Sequence, residues 1–434
     1  MSILLDVAYL AGVGLASPLL AYKALSSEKY RSGFPERFGR VAPRAGQAPC
    51  VWVHAVSVGE MSLARPLVEE VERRWPGWEV VLSTATNTGL ATARRLYPER
   101  RAIYYPLDFS WMVARAFRAV RPDVVLLVEL EVWPNFLAEA ARRGVPVAVV
   151  NGRVSERAFR RYRLVRPLVR RWLRGVARFC VQSETYGQRL AALGAPRERV
   201  VVTGNLKFDA CAGPQGAAGF GELAAGLGLE PGEPLLVAGC TWPGEDEAVL
   251  EVYRRLREGF PELRLLLAPR QAERFDAVER LVRAEGLACV RRTALQGGVA
   301  ARSDAVVLLD TVGELARVYA LAMVVFVGGS LTPRGGHNTL EAASMGKPVL
   351  FGPHTDNFRD VNEELVAHGG ARRVGDAAEL EAAVRELLAR PAEAQAMGQR
   401  GRQVVERHRG AARRTAEALE AYFRERNPEG SNGR

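Results

Sequence analysis

The chain has 434 residues, which points to two or three domains, and its 48% hydrophobic content is enough for sizeable cores. A formal net charge of +11 and an isoelectric point near 9.8 favour anionic partners: nucleic acid, acidic lipid or a phosphorylated substrate. Five cysteines, widely spaced and with no C-x-x-C, suggest neither a disulfide framework nor a zinc site and fit a reduced cytosolic compartment.

Residues 1–22 are mostly apolar, with Asp6 the only charged side chain, and Lys23, Lys29 and Arg31 follow. The length matches one bilayer-spanning helix of roughly 20 residues. No basic region precedes the apolar part, which argues against a signal peptide. The charge placement favours an N-terminal membrane anchor with its basic flank in the cytoplasm, spanning or lying in the interface. A buried core helix is the competing reading.

From residue 49 onward, short apolar runs alternate with amphipathic stretches. Strands are expected at 51–53, 80–83, 103–105, 124–128, 147–150, 179–181 and 200–202, with helices between them such as 61–74 and 133–143. Near-continuous Val/Leu runs between helices indicate parallel strands buried on both faces. Residues 210–234, rich in Gly, Ala and Pro, read as a linker. A second series follows at 235–238, 263–268, 306–309, 324–327 and 349–351. Residues 377–426 are helical, with 411–426 expected as a closing helix that packs back on the first domain, and 427–434 read as a disordered tail. The fold class is α/β: two doubly wound Rossmann-like domains, 35–209 and 235–410, facing each other across a cleft.

In such sheets ligands bind at the carboxyl ends of strands. Ser57-Val58-Gly59-Glu60 follows the first strand. Glu60 is placed for general-base work, but Ser-x-x-Glu before a helix is also a capping box, and on the pattern alone the cap comes first. Glu129 and Glu131 follow the strand 124–128 and alternate along an extended chain. Charge work and mere entry into a helix at Pro134 weigh equally for Glu129, and the helix entry leads for Glu131. Lys207, in Gly204-Asn205-Leu206-Lys207-Phe208-Asp209, meets an anionic donor as a point charge or is simply solvated beside Asp209.

In the second half, Pro269-Arg270 ends one strand, and Thr311-Val312-Gly313-Glu314 follows the next in another capping-box pattern. The stretch from 324 to 357 reads strand, Gly-rich loop, helix, strand. Glycines at 328, 329, 335 and 336 permit close backbone approach to a ligand, and a helix from about Asn338 offers N–H groups to phosphate, with Glu341 in reach of ribose hydroxyls. A basic amphipathic stretch, 153–178, carries ten arginines and faces either an anionic surface or plain solvent. No nucleic-acid-binding motif accompanies it. No Walker loop occurs, and His54 reads as a packed strand residue.

Taken together, Val53-His54-Ala55-Val56-Ser57-Val58-Gly59-Glu60, Glu129-Leu130-Glu131-Val132-Trp133-Pro134-Asn135, Gly204 to Asp209, Phe326 to Leu331 and Gly335-Gly336-His337-Asn338-Thr339-Leu340-Glu341 resemble the Kdo (3-deoxy-D-manno-octulosonic acid) transferases. The resemblance runs in the same motif order to about His368. It implies a GT-B glycosyltransferase without metal or cofactor, a CMP-Kdo donor, a lipid A precursor as acceptor, and work at the cytoplasmic face of the bacterial inner membrane in lipopolysaccharide synthesis. It implies Glu60 as general base, Glu129 and Lys207 as transition-state stabilisers, and CMP contacts at Pro269, Arg270, Val312, Gly313, Glu314, Asn338, Thr339, Leu340 and Glu341. The chain departs from the family pattern where Ser-Thr-His-Glu-Gly-Glu becomes Cys240-Thr241-Trp242-Pro243-Gly244-Glu245, Pro-Arg-His becomes Pro269-Arg270-Gln271, Met-Gly-Glu becomes Val312-Gly313-Glu314, and Asn-Pro-Leu-Glu becomes Asn338-Thr339-Leu340-Glu341. These departures leave a UDP-sugar transferase or epimerase of the same fold as the alternative, with a non-catalytic anion-binding protein behind it.

Overall fold

The computed structural model describes residues 5–7, 9–11, 33–211, 219–230, 232–296 and 304–426. Most of the expected anchor, part of the expected linker and the whole tail 427–434 lie outside the described residues. The chain divides into two compact units, Met1–Ala210 with Arg409–Arg434, and Cys211–His408. The latter portion of the stretch read as a linker thus belongs to the second unit, where it forms the helix Phe220–Gly226.

The first unit is built on seven parallel strands: β1 (Cys50–His54), β2 (Glu79–Thr84), β3 (Arg101–Tyr104), β4 (Val124–Val128), β5 (Val147–Gly152), β6 (Arg178–Val181) and β7 (Val200–Val202), in the order β3-β2-β1-β4-β5-β6-β7. Every residue of β1 and β4 is buried, as continuous apolar runs flanked by helices require. These two strands pair in register from Val51 with Val124 to His54 with Leu127. Trp52 anchors one face of the sheet, edge-on to Phe117 and Phe136 at 5.4 and 5.2 Å, with its indole N–H on Ser83 Oγ at 2.8 Å. The expected helix 61–74 is two helices, Val58–Leu63 and Arg65–Arg74, meeting at Ala64; Pro66, with no N–H to give, sits in the opening turn of the second.

The helix Ala411–Arg426 completes this unit. Both oxygens of Asp209 accept N–H groups at its start, from Gly410 and Ala412, each at 2.6 Å. Ala411, Ala412 and Leu419 are buried against Val53, Leu67 and Leu206 in one apolar cluster. At the other end of the chain, residues 5–7 and 9–11 are helical, and Asp6 accepts the Ser110 N–H at 2.9 Å. Among the described residues no helix is long and apolar enough to cross a membrane.

The second unit repeats the plan with β8 (Leu235–Thr241), β9 (Arg264–Pro269), β10 (Cys289–Arg291), β11 (Val306–Leu308), β12 (Val324–Val327), β13 (Val349–Phe351) and β14 (Ala371–Arg373), all parallel, in the order β10-β11-β9-β8-β12-β13-β14. The three-residue edge strands β10 and β14 were not expected. Neither has the apolar run of a central strand: β14 reads Ala-Arg-Arg and β10 is only half buried.

Candidate active site

In each sheet the strand order reverses at one place, β1/β4 in the first unit and β8/β12 in the second, and such switch points are where open α/β sheets hold ligands. Glu60 and Glu129 follow β1 and β4 at the first of these, and the loops after β8 and β12 lie at the second.

Glu60 sits in the first turn of Val58–Leu63, just past β1. Ser57 caps this helix, its Oγ accepting the Glu60 N–H at 3.3 Å. Glu60 in turn accepts the Val56 N–H on Oε2 and the Ser57 hydroxyl on Oε1, both at 2.9 Å. The capping box is therefore real. It uses one acceptor site on each oxygen and leaves lone pairs on both. Burial pushes the carboxyl up from 4.5 to about 7; the Val56 N–H and the Ser57 hydroxyl pull against it, while Glu129 and Glu131 add to the rise. A carboxyl with this pKa divides between acid and base near neutrality.

Glu129 does not continue the strand. β4 stops at Val128, and Glu129 adopts φ 60°, a left-handed conformation that costs a non-glycine residue about 1–3 kcal/mol. The expected alternation of Glu129 and Glu131 along an extended chain is thereby corrected. The two carboxylates still act on each other and on Glu60 through their fields. Glu131 accepts the Trp133 indole N–H at 3.2 Å, and burial pushes its carboxyl up. On the neighbouring strand Asn151 is also left-handed, at φ 54°, and its Oδ1 accepts the Leu206 N–H at 3.0 Å. This starts the short helix Leu206–Ala210, which carries the half-buried Lys207 and packs against Val58–Leu63. Asp209, expected beside Lys207 as its solvated partner, is committed instead to the C-terminal helix.

Sequence reasoning missed Asp108. Its carboxylate takes the Asn135 and Phe136 N–H groups at 3.1 and 2.8 Å, capping the helix Pro134–Arg142 that follows the acidic loop. The signal was a helix start with Trp133, which has no capping oxygen, at the N-cap, so the cap had to come from elsewhere. Burial pushes Asp108 up to about 6. His54 is a packed strand residue: fully buried, stacked on Tyr105 at 3.7 Å and held neutral by burial, which lowers it to about 3.

In the second unit the organising group is Glu245, the last residue of the altered stretch 240–245, to which the sequence reading gave no role. It is fully buried at the start of the helix Glu245–Arg257, and its carboxylate accepts N–H groups from Trp242, Gly329, Ser330 and Leu331 at 3.0, 2.6, 2.8 and 2.8 Å. It thereby ties the loop after β12 to the loop after β8. The glycines of this region serve that packing: a Cβ on Gly328 would stand 2.8 Å from Glu245 Oε2, and one on Gly352 2.3 Å from the Ser330 backbone. The helix expected from Asn338 begins at Leu340 and has five residues, Leu340–Ser344.

Arg270, exposed just past β9, is held by its N–H on Thr241 O at 3.0 Å, and its charge reaches Cys240, His337 and Glu341. Burial pushes Glu341 up, against the Asn338 amide that donates to it at 3.0 Å and against Arg270. Arg270, Asn338 and Glu341 are thus gathered. Pro269, Thr339 and Leu340 are buried and support them, Thr339 through a 2.5 Å bond to Asn362. Val312 is exposed, and Gly313 is left-handed at φ 97°. The capping box expected at Thr311–Glu314 does not form. Glu314 is itself the residue before the helix Leu315–Val318, and it binds the Arg292 guanidinium at 3.2 Å and the Thr311 hydroxyl. Those partners hold its carboxyl below the usual range despite burial.

Trp242, His337 and Arg334 form a further group that the sequence did not reveal. The indole N–H meets His337 Nε2 at 2.9 Å with the rings 4° from parallel, and the Arg334 guanidinium lies 4.7 Å from the indole centroid. Burial, helped by Arg270, lowers His337 to about 4, so the ring is neutral.

The fold has solved counterparts. A UDP-GlcNAc 2-epimerase from Neisseria meningitidis, solved bound to UDP-GlcNAc, aligns over 86% of this chain and 100% of its own with a TM-score of 0.57 at 14% identity, a likeness of fold alone. Residues 302–420 match a family model described as glycosyl transferase-like, and the class is a glycosyltransferase. Residues 32–210 match the family model of 3-deoxy-D-manno-octulosonic-acid transferase (kdotransferase). A 3-deoxy-D-manno-octulosonic acid transferase of Bordetella pertussis is 39% identical over 90% of this chain and 91% of its own length, and one of Haemophilus influenzae is 32% identical over 93% and 94%. The chain belongs to the 3-deoxy-D-manno-octulosonic acid transferase family.

Proposed function

We propose that this chain is an inverting, metal-independent glycosyltransferase that moves Kdo from CMP-Kdo to a lipid A precursor. Glu60 takes the proton from the acceptor hydroxyl. The freed oxygen bonds to the anomeric carbon as the bond to the CMP phosphate oxygen breaks, and the electron pair leaves with CMP. A single displacement of this kind inverts the anomeric centre. Glu129 offsets positive character at that carbon, and Lys207 offsets negative charge on CMP or on the sugar carboxylate. In the second unit Arg270 meets the anionic part of the donor, and Glu341 and Asn338 meet the ribose hydroxyls. The observation that carries the reading is the Glu60 carboxyl, raised to about 7 beside two further carboxylates at the β1/β4 switch point. Incubation with CMP-Kdo and a lipid A precursor, with products weighed by mass spectrometry, tests it; no mass gain on the acceptor refutes it.

We further propose that the enzyme works on the cytoplasmic face of the inner membrane. Where the helices Glu156–Leu164 and Arg166–Leu173 meet, Leu164 is 85% exposed, with Val165 and Leu168 also exposed. Exposed arginines at 157, 160, 161, 163, 166, 170, 171 and 174 surround them. Protruding apolar side chains ringed by cations suit an anionic lipid interface. Sedimentation with anionic vesicles, lost on Leu164→Asp and absent with neutral vesicles, is the expected result. Equal binding by the variant refutes it.

A further inference from the structure

Trp242 and His337 come from different loops, yet their rings meet by one hydrogen bond, and the loop geometry is shaped around it. A Cβ on Gly329 would stand 2.7 Å from His337 Cδ2 and 2.9 Å from its Nε2. Gly329 is left-handed at φ 66°, and its N–H is fixed by the buried Glu245. An indole nitrogen only donates, so His337 Nε2 must be the unprotonated, accepting nitrogen. The proton of the neutral ring is then on Nδ1. That nitrogen has no hydrogen-bond partner among the described residues, and it is not a sealed, unsatisfied atom either; it faces accessible space. Asn338, the next residue, is bonded to Glu341, and the charge of Arg270 reaches the imidazole.

We propose that His337 binds the donor directly: the Trp242 indole locks its ring as the Nδ1–H tautomer, and that uncharged N–H donates to an anionic oxygen of the nucleotide sugar. The proposal rests on reading the second unit as the CMP-sugar site. The oxygen belongs to the phosphate or to the sugar carboxylate, since either accepts the same bond. The lock is a property of this chain, because position 242 departs from the pattern its motif otherwise follows. Burial and Arg270 keep the ring neutral and the lock keeps its proton on Nδ1, so the donor is present and uncharged across the pH range in which an ordinary histidine changes charge. The charged groups around the ring are Arg270, Arg334 over the indole, Glu245 behind Gly329, and Glu341 through Asn338.

The test uses the full chain labelled with ¹⁵N-histidine, with His337→Gln to assign the signal. Nδ1 is expected to be protonated and Nε2 bare at neutral pH, and CMP or CMP-Kdo is expected to shift Nδ1. His337→Ala should weaken binding by about tenfold, the scale of a hydrogen bond to a charged group. Weakening seen with CMP alone assigns the phosphate; weakening confined to CMP-Kdo assigns the carboxylate. Trp242→Phe leaves the ring buried near Arg270 and therefore still neutral, but frees Nε2 to carry the proton, so the ¹⁵N signals should report a mixture of tautomers and affinity should weaken severalfold; a purely Nδ1–H ring with wild-type affinity in this variant overturns the lock. A protonated Nε2, or affinities for both ligands within twofold of wild type in His337→Ala, overturns the proposal while leaving the nucleotide reading intact. A wild-type protein that binds no cytidine nucleotide overturns both.

Discussion

Replacing Glu60 by Gln separates its two roles, because glutamine keeps one accepting oxygen for the cap and cannot take a proton. In the folded protein the carboxyl is raised from 4.5 to about 7. Between those values the native state holds a proton that the unfolded state has released, so stability falls as pH rises through the window. The full difference corresponds to on the order of 3 kcal/mol, present below pH 4.5 and lost above 7. Glutamine carries no such dependence and gives up one cap bond, worth about 1 kcal/mol. The two stability curves should therefore cross: wild type more stable by about 1 kcal/mol near pH 4.5, the variant more stable by roughly 2 kcal/mol near pH 8. Urea unfolding of both proteins at the two pH values reads this directly. In the transfer assay the variant should lose about 10²–10⁴-fold in turnover, the usual worth of a general base. Wild-type kcat/KM should fall about tenfold per pH unit below 7. Wild-type turnover in the variant, or parallel stability curves, would show that Glu60 is a helix cap and nothing more.

Glu245→Ala strands four backbone N–H groups at a buried position and should cost more than about 3 kcal/mol in denaturant unfolding, with CMP affinity lost alongside. His54 is lowered from 6.5 to about 3, so the unfolded chain binds the extra proton and stability rises with pH between those values. His54→Phe should flatten that slope and retain transfer, whereas an inactive but folded variant would contradict its packed role. Asp209→Ala removes both acceptors at the start of the C-terminal helix and should cost about 1–3 kcal/mol, read as faster hydrogen exchange in 411–426; unchanged exchange would rule out the anchor.

The buried central strands were legible because a parallel strand covered on both faces is written as an unbroken Val/Leu run. β4, β12 and β13 begin and end at the expected residues, as does β7, a partly exposed edge strand written as an unbroken Val run. The edge strands β10 and β14 of the second sheet, which carry no such run, were not legible. Glu60 was visible as a Ser-x-x-Glu pattern, but the pattern cannot say whether burial will lift the carboxyl. Glu129 looked like a strand residue because nothing local marks a left-handed glutamate. Its conformation appears only where β4 gives way to the loop beside β5. The roles of Glu245 and Asp108 were invisible for one reason: their partners lie far off in sequence, 84 to 86 residues for the loop bound by Glu245 and 27 and 28 for the helix capped by Asp108. The Trp242–His337 bond spans 95 residues.

The first unit is assembled from both ends of the chain, and this has a consequence for biosynthesis. A ribosome releases the second unit's residues whole, 211–408, before the final helix exists. Until Ala411, Ala412 and Leu419 emerge, the nascent front portion keeps an uncovered greasy surface around Leu67 and Leu206, and the Asp209 carboxylate has nothing to hold. Stop codons a few dozen triplets early should thus yield an aggregating, chaperone-bound product even though every motif of the chemistry has already been translated.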